Sequence, residues 1–252
     1  MQNPPLQSVQ RHPVSPAHGL PVGTTAPRSG CQQSRKKEIS WQAVYYHFQK
    51  WSSDGSLRRV WQQSIERIRH DLNLSQLNLD GSHAIGKKGG ESVAYQPRKR
   101  AKTSNILPMT DANGYVVAST DMVAGNHHDA FCLKLHLQTA FKMLKRLGLK
   151  IASAFFNADS AFDTHDARKV CFNHHVVPNI AENKRGRKTP KRGRKRLFNP
   201  DLYKRRFSSE RSFAWMDKFR ALLIRYDRKD ANFLGGHHIA FAMINLRHLF
   251  AA

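Results

Sequence analysis

Apolar residues show no regular spacing in the first part of the chain, and periodicity begins only after residue 37. Residues 1–37 are rich in Pro, Gly, Ser and Gln, a composition typical of disordered segments. Apolar positions at helical spacing then predict two short helices, with Trp41, Trp51 and Trp61 in their buried stripe. Residues 38–75 are therefore predicted to form a small helical unit ahead of the main domain.

Strand-length apolar runs follow from residue 76 onward. Leu77–Ala84 alternates in the way a half-buried strand does, and Asn105–Thr120 reads as two strands joined by an Asn-Gly turn. The continuous apolar run Ile151–Ala158 is typical of a strand covered on both faces. Val176–Ala181 completes five predicted strands.

Four helical segments are predicted in the same part of the chain: Asp129–Gly148, Thr164–Phe172, Ser209–Arg228 and Asn232–Phe250. A hairpin followed by crossover helices predicts an α/β fold, a mixed five-stranded sheet with flanking helices. Its first and fourth strands are expected to lie side by side. This arrangement places Asp80 and Asp159, which end those two strands, at one edge of the sheet.

Charge indicates the class of partner. The chain has 42 Lys or Arg against 18 Asp or Glu, a formal net charge of +24. Such an excess predicts a polyanionic partner, with nucleic acid favoured over a membrane surface. No run of the sequence reaches the length of a transmembrane helix, and the first residues lack the apolar stretch of a signal peptide. We therefore expect a cytoplasmic protein without a membrane partner.

The cations are most concentrated between residues 184 and 206, where twelve Lys or Arg accompany the single acid Asp201. This basic loop is predicted to hold the DNA backbone without recognising its sequence. A solvated charge run is the alternative, although nothing acidic balances it. The cations of the first part of the loop are Lys184, Arg185, Arg187, Lys188, Lys191, Arg192, Arg194, Lys195 and Arg196.

Three carboxylates have the placement of a metal site. Asp80 and Asp159 end two predicted strands, and Glu210 begins a later helix inside the cationic region. Carboxylate oxygens are the ligands that Mg²⁺ and Mn²⁺ prefer, and two ions about 3.5–4 Å apart can act on a phosphodiester. Spacing alone leaves another interpretation open, in which the aspartates only cap loops.

The residues around these acids carry a family signature. Tyr203, Arg206 and Glu210 are spaced as Tyr-x-x-Arg-x-x-x-Glu, and Lys218 stands one residue beyond the place where a lysine would complete the signature. The sequence resembles the DDE transposases of bacterial insertion sequences, in the group with the Tyr-Arg-Glu-Lys signature. Three further segments resemble motifs of that family: Asp-Gly-Ser-His at 80–83, Gly-Asn-His-His-Asp at 125–129 and Ala-Asp-Ser-Ala-Phe-Asp at 158–163.

The resemblance implies an RNase H-like core, 76–252, in which Asp80, Asp159 and Glu210 bind two Mg²⁺ or Mn²⁺ ions. It implies that Tyr203, Arg206 and Lys218 contact transposon-end DNA, and that the helical unit 38–75 is part of an end-binding region. The expected partners are terminal inverted repeats and target DNA, with self-association on DNA in the bacterial nucleoid. Two alternatives remain: a catalytically silent DNA-binding remnant, and a metal-dependent nuclease of the same fold without strand transfer.

Overall fold

Short strands and helices alternate along the chain, and they are placed by a computed structural model that describes residues 39–183 and 196–249. Within these ranges the helices are α1 (Trp41–Ser53), α2 (Ser56–Arg67), α3 (Leu133–Arg146), α4 (His165–Asn173), α5 (Pro200–Lys204), α6 (Phe207–Met216), α7 (Arg220–Leu223) and α8 (Asp230–Leu246). The strands are β1 (Gln76–Leu79), β2 (Ser82–Gly86), β3 (Ala94–Gln96), β4 (Ala101–Ile106), β5 (Pro108–Asp111), β6 (Val116–Ser119), β7 (Val123–Ala124), β8 (Phe155–Ala158), β9 (Val177–Ile180) and β10 (Ile224–Arg225).

The central sheet has five strands in the order β6-β5-β1-β8-β9. Antiparallel pairing joins β1 to β5 and β5 to β6, whereas β8 is parallel to β1 and β9 is parallel to β8. The predicted turn between β5 and β6 is present, and Gly114 has a φ of +86°, which glycine adopts without steric cost. This order and these directions form the RNase H-like mixed sheet that the sequence predicts.

A second sheet, which the sequence analysis missed, has the order β10-β2-β4-β3, with β7 also paired to β4. The prediction of a single strand over Leu77–Ala84 is wrong, because β1 ends at Leu79 and β2 begins at Ser82. Asp80 and Gly81 form the corner between the two sheets. The alternation holds over residues 77–80 and fails at Ser82 and His83, and Asp80-Gly81 is a dipeptide typical of turns.

The prediction of one long helix over Ser209–Arg228 is also wrong. α6 ends at Met216, α7 has a single turn, and β10 then pairs in parallel with β2. The reason lies in Arg225, which is only 1% exposed. Its guanidinium donates to Ser104 Oγ at 2.9 Å and to Asp230 Oδ1 at 2.7 Å, and a buried cation requires such partners. The contact with Ser104 and the pairing of β10 with β2 join distant parts of the chain, and they override the local helical pattern.

The N-terminal helices α1 and α2 pack against α8. Of the three tryptophans predicted to be buried there, Trp61 is 1% exposed, whereas Trp41 is 72% and Trp51 47% exposed. The prediction is therefore wrong for the two tryptophans of α1. This helix has no fully buried residue, because α2 and α8 cover only one side of it.

Side chains from α2 and α8 form hydrogen bonds with the backbone of β6, at the edge of the central sheet. The Val116 N–H donates to Asn245 Oδ1 at 2.9 Å, and its carbonyl accepts from Asn245 Nδ2 and from Trp61 Nε1, each at 3.0 Å. Asn245 on α8 thereby replaces the strand that β6 lacks on its outer side. This peptide group of Val116 is one of the points at which α2 and α8 are bonded to the sheet.

Asn245→Ala should lower the free energy of unfolding by about 2–3 kcal/mol, because it leaves the buried Val116 N–H without a partner. Urea denaturation followed by circular dichroism measures the change. Asn126→Ala, at an exposed position, is the control and should change stability by less than about 0.5 kcal/mol. Equal stability of the two variants would contradict the proposed role of Asn245.

Two predictions fall on residues outside the described ranges. One is disorder in residues 1–37, and the other concerns most cations of the basic loop: Lys184, Arg185, Arg187, Lys188, Lys191, Arg192, Arg194 and Lys195. Among the residues that are described, none of the helices is both long enough and apolar enough to cross a membrane.

Candidate active site

Two of the three predicted acids meet at the carboxyl ends of neighbouring parallel strands. β1 and β8 are paired with Asn78 opposite Asn157, and Asp80 and Asp159 each follow two residues later. The negative charge of Asp159 contributes to raising the pKa of Asp80. The predicted proximity of Asp80 and Asp159 is therefore present, and we refer to these two residues as the acid pair.

Asp80 is half-buried, and burial is the main cause that raises the pKa of its carboxyl group. Two groups oppose this shift: the Gly81 N–H, which donates to Oδ1 at 2.8 Å, and Arg206, whose Nη1 lies 3.9 Å from Oδ2. Asp159 is exposed and accepts a hydrogen bond from the Ser160 N–H. Both aspartates thus do cap the loops that follow them, while their charges face one another.

The segment from α5 to α6 brings Tyr203 and Arg206 to the acid pair. The guanidinium carbon of Arg206 lies 5.1 Å from the centre of the Tyr203 ring, and Phe198 packs against that ring at 5.3 Å. Burial raises the pKa of Tyr203, the charges of Asp159 and Asp80 act in the same direction, and Arg206 acts against them. Four residues that the sequence analysis singled out therefore share one site.

Glu210 lies in the first turn of α6, one helical turn beyond Arg206, and its side chain is exposed. In the ranges 39–183 and 196–249 no three His, Cys, Asp or Glu side chains are grouped closely enough to hold a metal ion. Carboxylates repel one another when no cation separates them. The cluster of Asp80, Asp159 and Glu210 consequently stays a prediction.

The predicted helix Ser209–Arg228 would hold both Glu210 and Lys218, but in the structure Lys218 lies beyond the end of the helix that carries Glu210. α6 ends at Met216 with Asp217 as its C-cap, so Lys218 belongs to the following turn. Its ammonium group lies 3.9 Å from the centre of the Trp215 ring, a cation–π contact at the surface. Trp215 itself is 38% exposed, so its ring is open to solvent beside Lys218.

Arg196 is expected to contact DNA, but the structure gives it a protein partner. Its Nη1 donates to Asp163 Oδ1 at 2.6 Å, and Arg168 Nε donates to the same oxygen at 2.8 Å. Burial opposes ionisation of Asp163, yet the bonds from Arg168 and the Asn183 N–H, with the charges of both arginines, lower its pKa. Arg196 therefore fixes the chain that leads into α5 to Asp163, just before α4.

A row of buried amides crosses the central sheet beneath the acid pair. Asn157 on β8 donates to Asn78 Oδ1 on β1 at 2.8 Å and accepts from Asn179 on β9 at 2.7 Å. Asn179 Oδ1 also accepts a hydrogen bond from the Asn199 N–H at 2.7 Å, and Asn179 Nδ2 donates to the Asn199 carbonyl at 3.0 Å. Because Asn199 caps α5, this amide row ties the strands of both aspartates to the helix that carries Tyr203.

These motifs and this sheet lie in a region that matches a known family. A family model described as "Transposase DDE domain" matches residues 73–246, which is more than half of the chain. The chain belongs to this family. The match confirms the DDE transposase that the sequence motifs resemble, and it covers the acid pair, Tyr203, Arg206 and Glu210.

Other comparisons are weaker than the family match. The chain is 13% identical to a structure titled "Mos1 transposase paired-end complex with left transposon end", with a TM-score of 0.34, covering 86% of this chain and 67% of that one. A Mos1 mariner paired end complex with Mn gives 14% identity and a TM-score of 0.33, over 86% and 68% of the two chains. The catalytic domain of Mos1 mariner transposase gives 12% identity and a TM-score of 0.31, covering 84% of this chain and 95% of that one. No curated protein sequence matches significantly.

Asp129 is a further charged residue near Asp80 in this transposase domain, and its motif had been given no role in the site. Its Oδ1 accepts from Asn105 Nδ2 at 2.7 Å and lies 3.3 Å from His83 Nε2. The bond to His83 is the main cause that lowers the Asp129 pKa, and the charge of Asp129 in turn raises the pKa of Asp80. The signal was available, because Asp129 ends the motif at 125–129.

Asp111 is a buried acid of the transposase domain beneath α6. It accepts hydrogen bonds from the backbone N–H groups of Asn73, Asn113 and Tyr115, and Ser208 on α6 contacts its carbonyl. Burial outweighs these three bonds and raises the pKa of Asp111 to about 6. A carboxyl group whose folded pKa is raised stabilises the fold fully below its unfolded pKa near 4, and this stabilisation is lost as the pH rises through about 6.

Asp111→Asn should therefore flatten the pH dependence of stability between about pH 4 and 7. It removes the ionisable group whose raised pKa changes the free energy of unfolding by up to ~3 kcal/mol over this range. The free energy of unfolding from urea titrations at several pH values is the measurement. Asp121→Asn, at an exposed position, is the control and should preserve the wild-type slope. A wild-type slope in Asp111→Asn would contradict the raised pKa.

Proposed function

We propose that this chain is the transposase of a bacterial insertion sequence, which cuts DNA at the ends of its element and joins them to target DNA. The acid pair is the observation that carries the proposal. In a member of the transposase DDE domain family, Asp80 and Asp159 end adjacent parallel strands, beside a cation and an aromatic ring that suit a DNA phosphate and base.

The donor set of the site fits divalent ions. Asp80 and Asp159 offer carboxylate oxygens, the ligands that Mg²⁺ and Mn²⁺ prefer. Burial raises the pKa of Asp80, and repulsion from the charges of Asp159 and Asp129 adds to this shift. A bound cation would relieve this repulsion. We propose that Asp80, Asp159 and Glu210 hold two ions, with Glu210 extending from the first turn of α6. Such ions stabilise the attacking and leaving oxygens of an in-line displacement at phosphorus.

The proposed reaction has two displacements. Water attacks the phosphorus at the element end, the bond to the 3′-oxygen breaks, and that oxygen takes a proton to become a 3′-hydroxyl. The 3′-hydroxyl then loses its proton and attacks a target phosphodiester, whose own 3′-oxygen leaves. Each step exchanges one phosphorus–oxygen bond for another, and no oxidant or reductant is required.

Arg206 and Tyr203 are proposed to hold the DNA end. Arg206 Nη1 is buried and has no hydrogen-bond partner among the described residues, so it can donate to a phosphate oxygen beside the acid pair. The Tyr203 ring lies under this guanidinium and offers a face for an unpaired base. Lys218 and the basic loop are proposed to add backbone contacts, in keeping with the net charge of +24.

The purified chain, incubated with labelled duplexes carrying the ends of its element, tests this proposal. Mg²⁺ or Mn²⁺ should produce a nick at the end and then a joined product with plasmid DNA, and EDTA should remove both. Cleavage without joining would indicate the nuclease alternative. DNA binding by a folded chain without cleavage under any divalent ion would indicate the silent remnant.

A further inference from the structure

Six cations cluster at one end of the second sheet, far in sequence from the basic loop. They lie in the loop after β2, in the turn between β3 and β4 and at the start of β4. We call them the hairpin cations: Lys87, Lys88, Arg98, Lys99, Arg100 and Lys102.

Strand register brings these residues together. β2 and β4 are antiparallel with Ile85 opposite Thr103, so the chain that continues past Gly86 runs beside the residues that precede Thr103. β3 and β4 are antiparallel as well, with Gln96 opposite Ala101, and the 3₁₀ turn Pro97–Lys99 closes them. The loop after β2 and the β3–β4 turn therefore lie at the same end of the sheet.

Within the described residues, no ion pair neutralises this charge. All six side chains are exposed, and within the described residues none has a carboxylate oxygen within 4.0 Å. The one acid between Gly86 and Lys102 is Glu91, which accepts the Asp230 N–H at 2.8 Å. Six like charges gathered at one end of the second sheet repel one another, and a polyanion would relieve this repulsion.

The second sheet starts at the active site and ends at the hairpin cations. β2 begins at Ser82, two residues after Asp80, and ends at Gly86, so at ~3.3 Å per residue these cations lie roughly 20 Å from Asp80, about one duplex diameter. Tyr95, 54% exposed, stands directly opposite Lys102 in the β3–β4 pair, which adds an aromatic ring beside the cations. A duplex that crosses the acid pair could therefore continue onto this end of the second sheet.

We propose that the hairpin cations form a second DNA-backbone surface, which holds duplex DNA beside the acid pair without recognising its sequence. The inference rests on the proposed function, because it takes DNA as the polyanion. Its basis is charge complementarity: the duplex presents closely spaced phosphates, and exposed Lys and Arg neutralise them with release of counterions.

A charge-neutral variant with a matched control tests the inference. The hairpin variant replaces Lys87, Lys88, Arg98, Lys99 and Lys102 with Gln, and leaves Arg100 because it has a positive φ of 49°. The control variant replaces four lysines and one arginine on and after α3 with Gln as well: Lys134, Lys142, Lys145, Arg146 and Lys150. These control residues are equally exposed, and α3 packs against the opposite face of the central sheet from α6.

Binding of a short random-sequence duplex is measured between about 50 and 200 mM salt. Each lost phosphate contact lowers the slope of log affinity against log salt by about 0.9. The hairpin variant should lose roughly three units of slope and at least about tenfold in affinity, whereas the control should stay near wild type. Hydrogen exchange of residues 86–102 should slow when wild type binds the duplex.

Equal slopes for the hairpin and control variants, while wild type binds the duplex, would overturn the inference and leave the proposed function intact. The hairpin variant could instead lose binding to phosphatidylserine vesicles while its salt slope for DNA affinity equals that of wild type. This result would overturn the inference in favour of a membrane surface. Wild type that binds DNA through the hairpin but never cleaves element ends would overturn only the proposed function. Equal thermal unfolding midpoints for the three proteins show that folding is not the cause.

Discussion

Asp80→Asn and Asp159→Asn should each lower metal-dependent DNA cleavage by at least ~10³-fold and leave DNA binding intact. Each substitution keeps the size of the side chain and most of its hydrogen bonding, including the bonds from Gly81 and Ser160. It removes the carboxylate charge with which the acid pair would hold a divalent ion. Cleavage of labelled element-end DNA and gel-shift affinity, measured on the same preparations, separate chemistry from binding.

The matched control is Asp166→Asn, an exposed acid on α4, which should keep the wild-type cleavage rate. Binding by the two active-site variants should equal that of wild type or be tighter, because a negative charge beside the phosphates is gone. Loss of binding and cleavage together would point to misfolding. Full cleavage by either variant would remove that aspartate from the proposed mechanism.

Glu210→Gln extends the test to the third predicted ligand. Glu210 is exposed in the first turn of α6, and the proposal requires it to join the acid pair when ions and DNA are bound. The expected loss is again at least ~10³-fold in cleavage. Wild-type activity in this variant, with inactive Asp80→Asn, would assign the site to the two strand-end aspartates alone.

Asn157→Ala should lower the free energy of unfolding by about 3–4 kcal/mol, the second large effect expected here. Asn157 is fully buried and bonds to the side chains of Gln76, Asn78 and Asn179. Its loss leaves several buried polar groups without partners, each costing about 1–3 kcal/mol with partial relaxation. Urea denaturation measures the change, and Asn173→Ala, an exposed residue of α4, should stay within about 0.5 kcal/mol.

The amide row should matter for activity as well as stability. Asn157 lies two residues before Asp159, and Asn179 connects the same row to Asn199 and α5. Cleavage by Asn157→Ala, measured at a temperature where the variant is folded, should therefore fall about 10–100-fold, as for groups that support metal ligands. A folded variant with wild-type activity would restrict the amide row to stability.

Much of the fold could be predicted from local patterns in the sequence. Alternation and continuous apolar runs predicted the strands of the central sheet, and Asn113-Gly114 predicted the turn between β5 and β6, because period and turn chemistry depend on neighbouring residues alone. The same strands predicted that Asp80 and Asp159 would be neighbours. The motif spacing of Tyr203 and Arg206 pointed to the residues that the structure brings to the acid pair.

Other features depend on contacts between distant parts of the chain. The end of α6 at Met216 and the second sheet follow from pairings such as β10 with β2 and Arg225 with Ser104. Asp80-Gly81 is a dipeptide typical of turns, but only the pairing of β2 with β4 makes it a corner between two sheets. The asparagines of the amide row are ordinary polar residues until three strands place them side by side.

The family, the mixed sheet and the edge at which the two aspartates meet could be predicted from sequence alone, because they follow from periodicity and short motifs. The exposure of Trp41 and Trp51, the pairing of Arg196 with Asp163 and the gathering of six cations at one end of the second sheet could not. Burial, ion pairing and charge clustering are properties of residues that meet in space, and chain neighbours do not fix which residues meet.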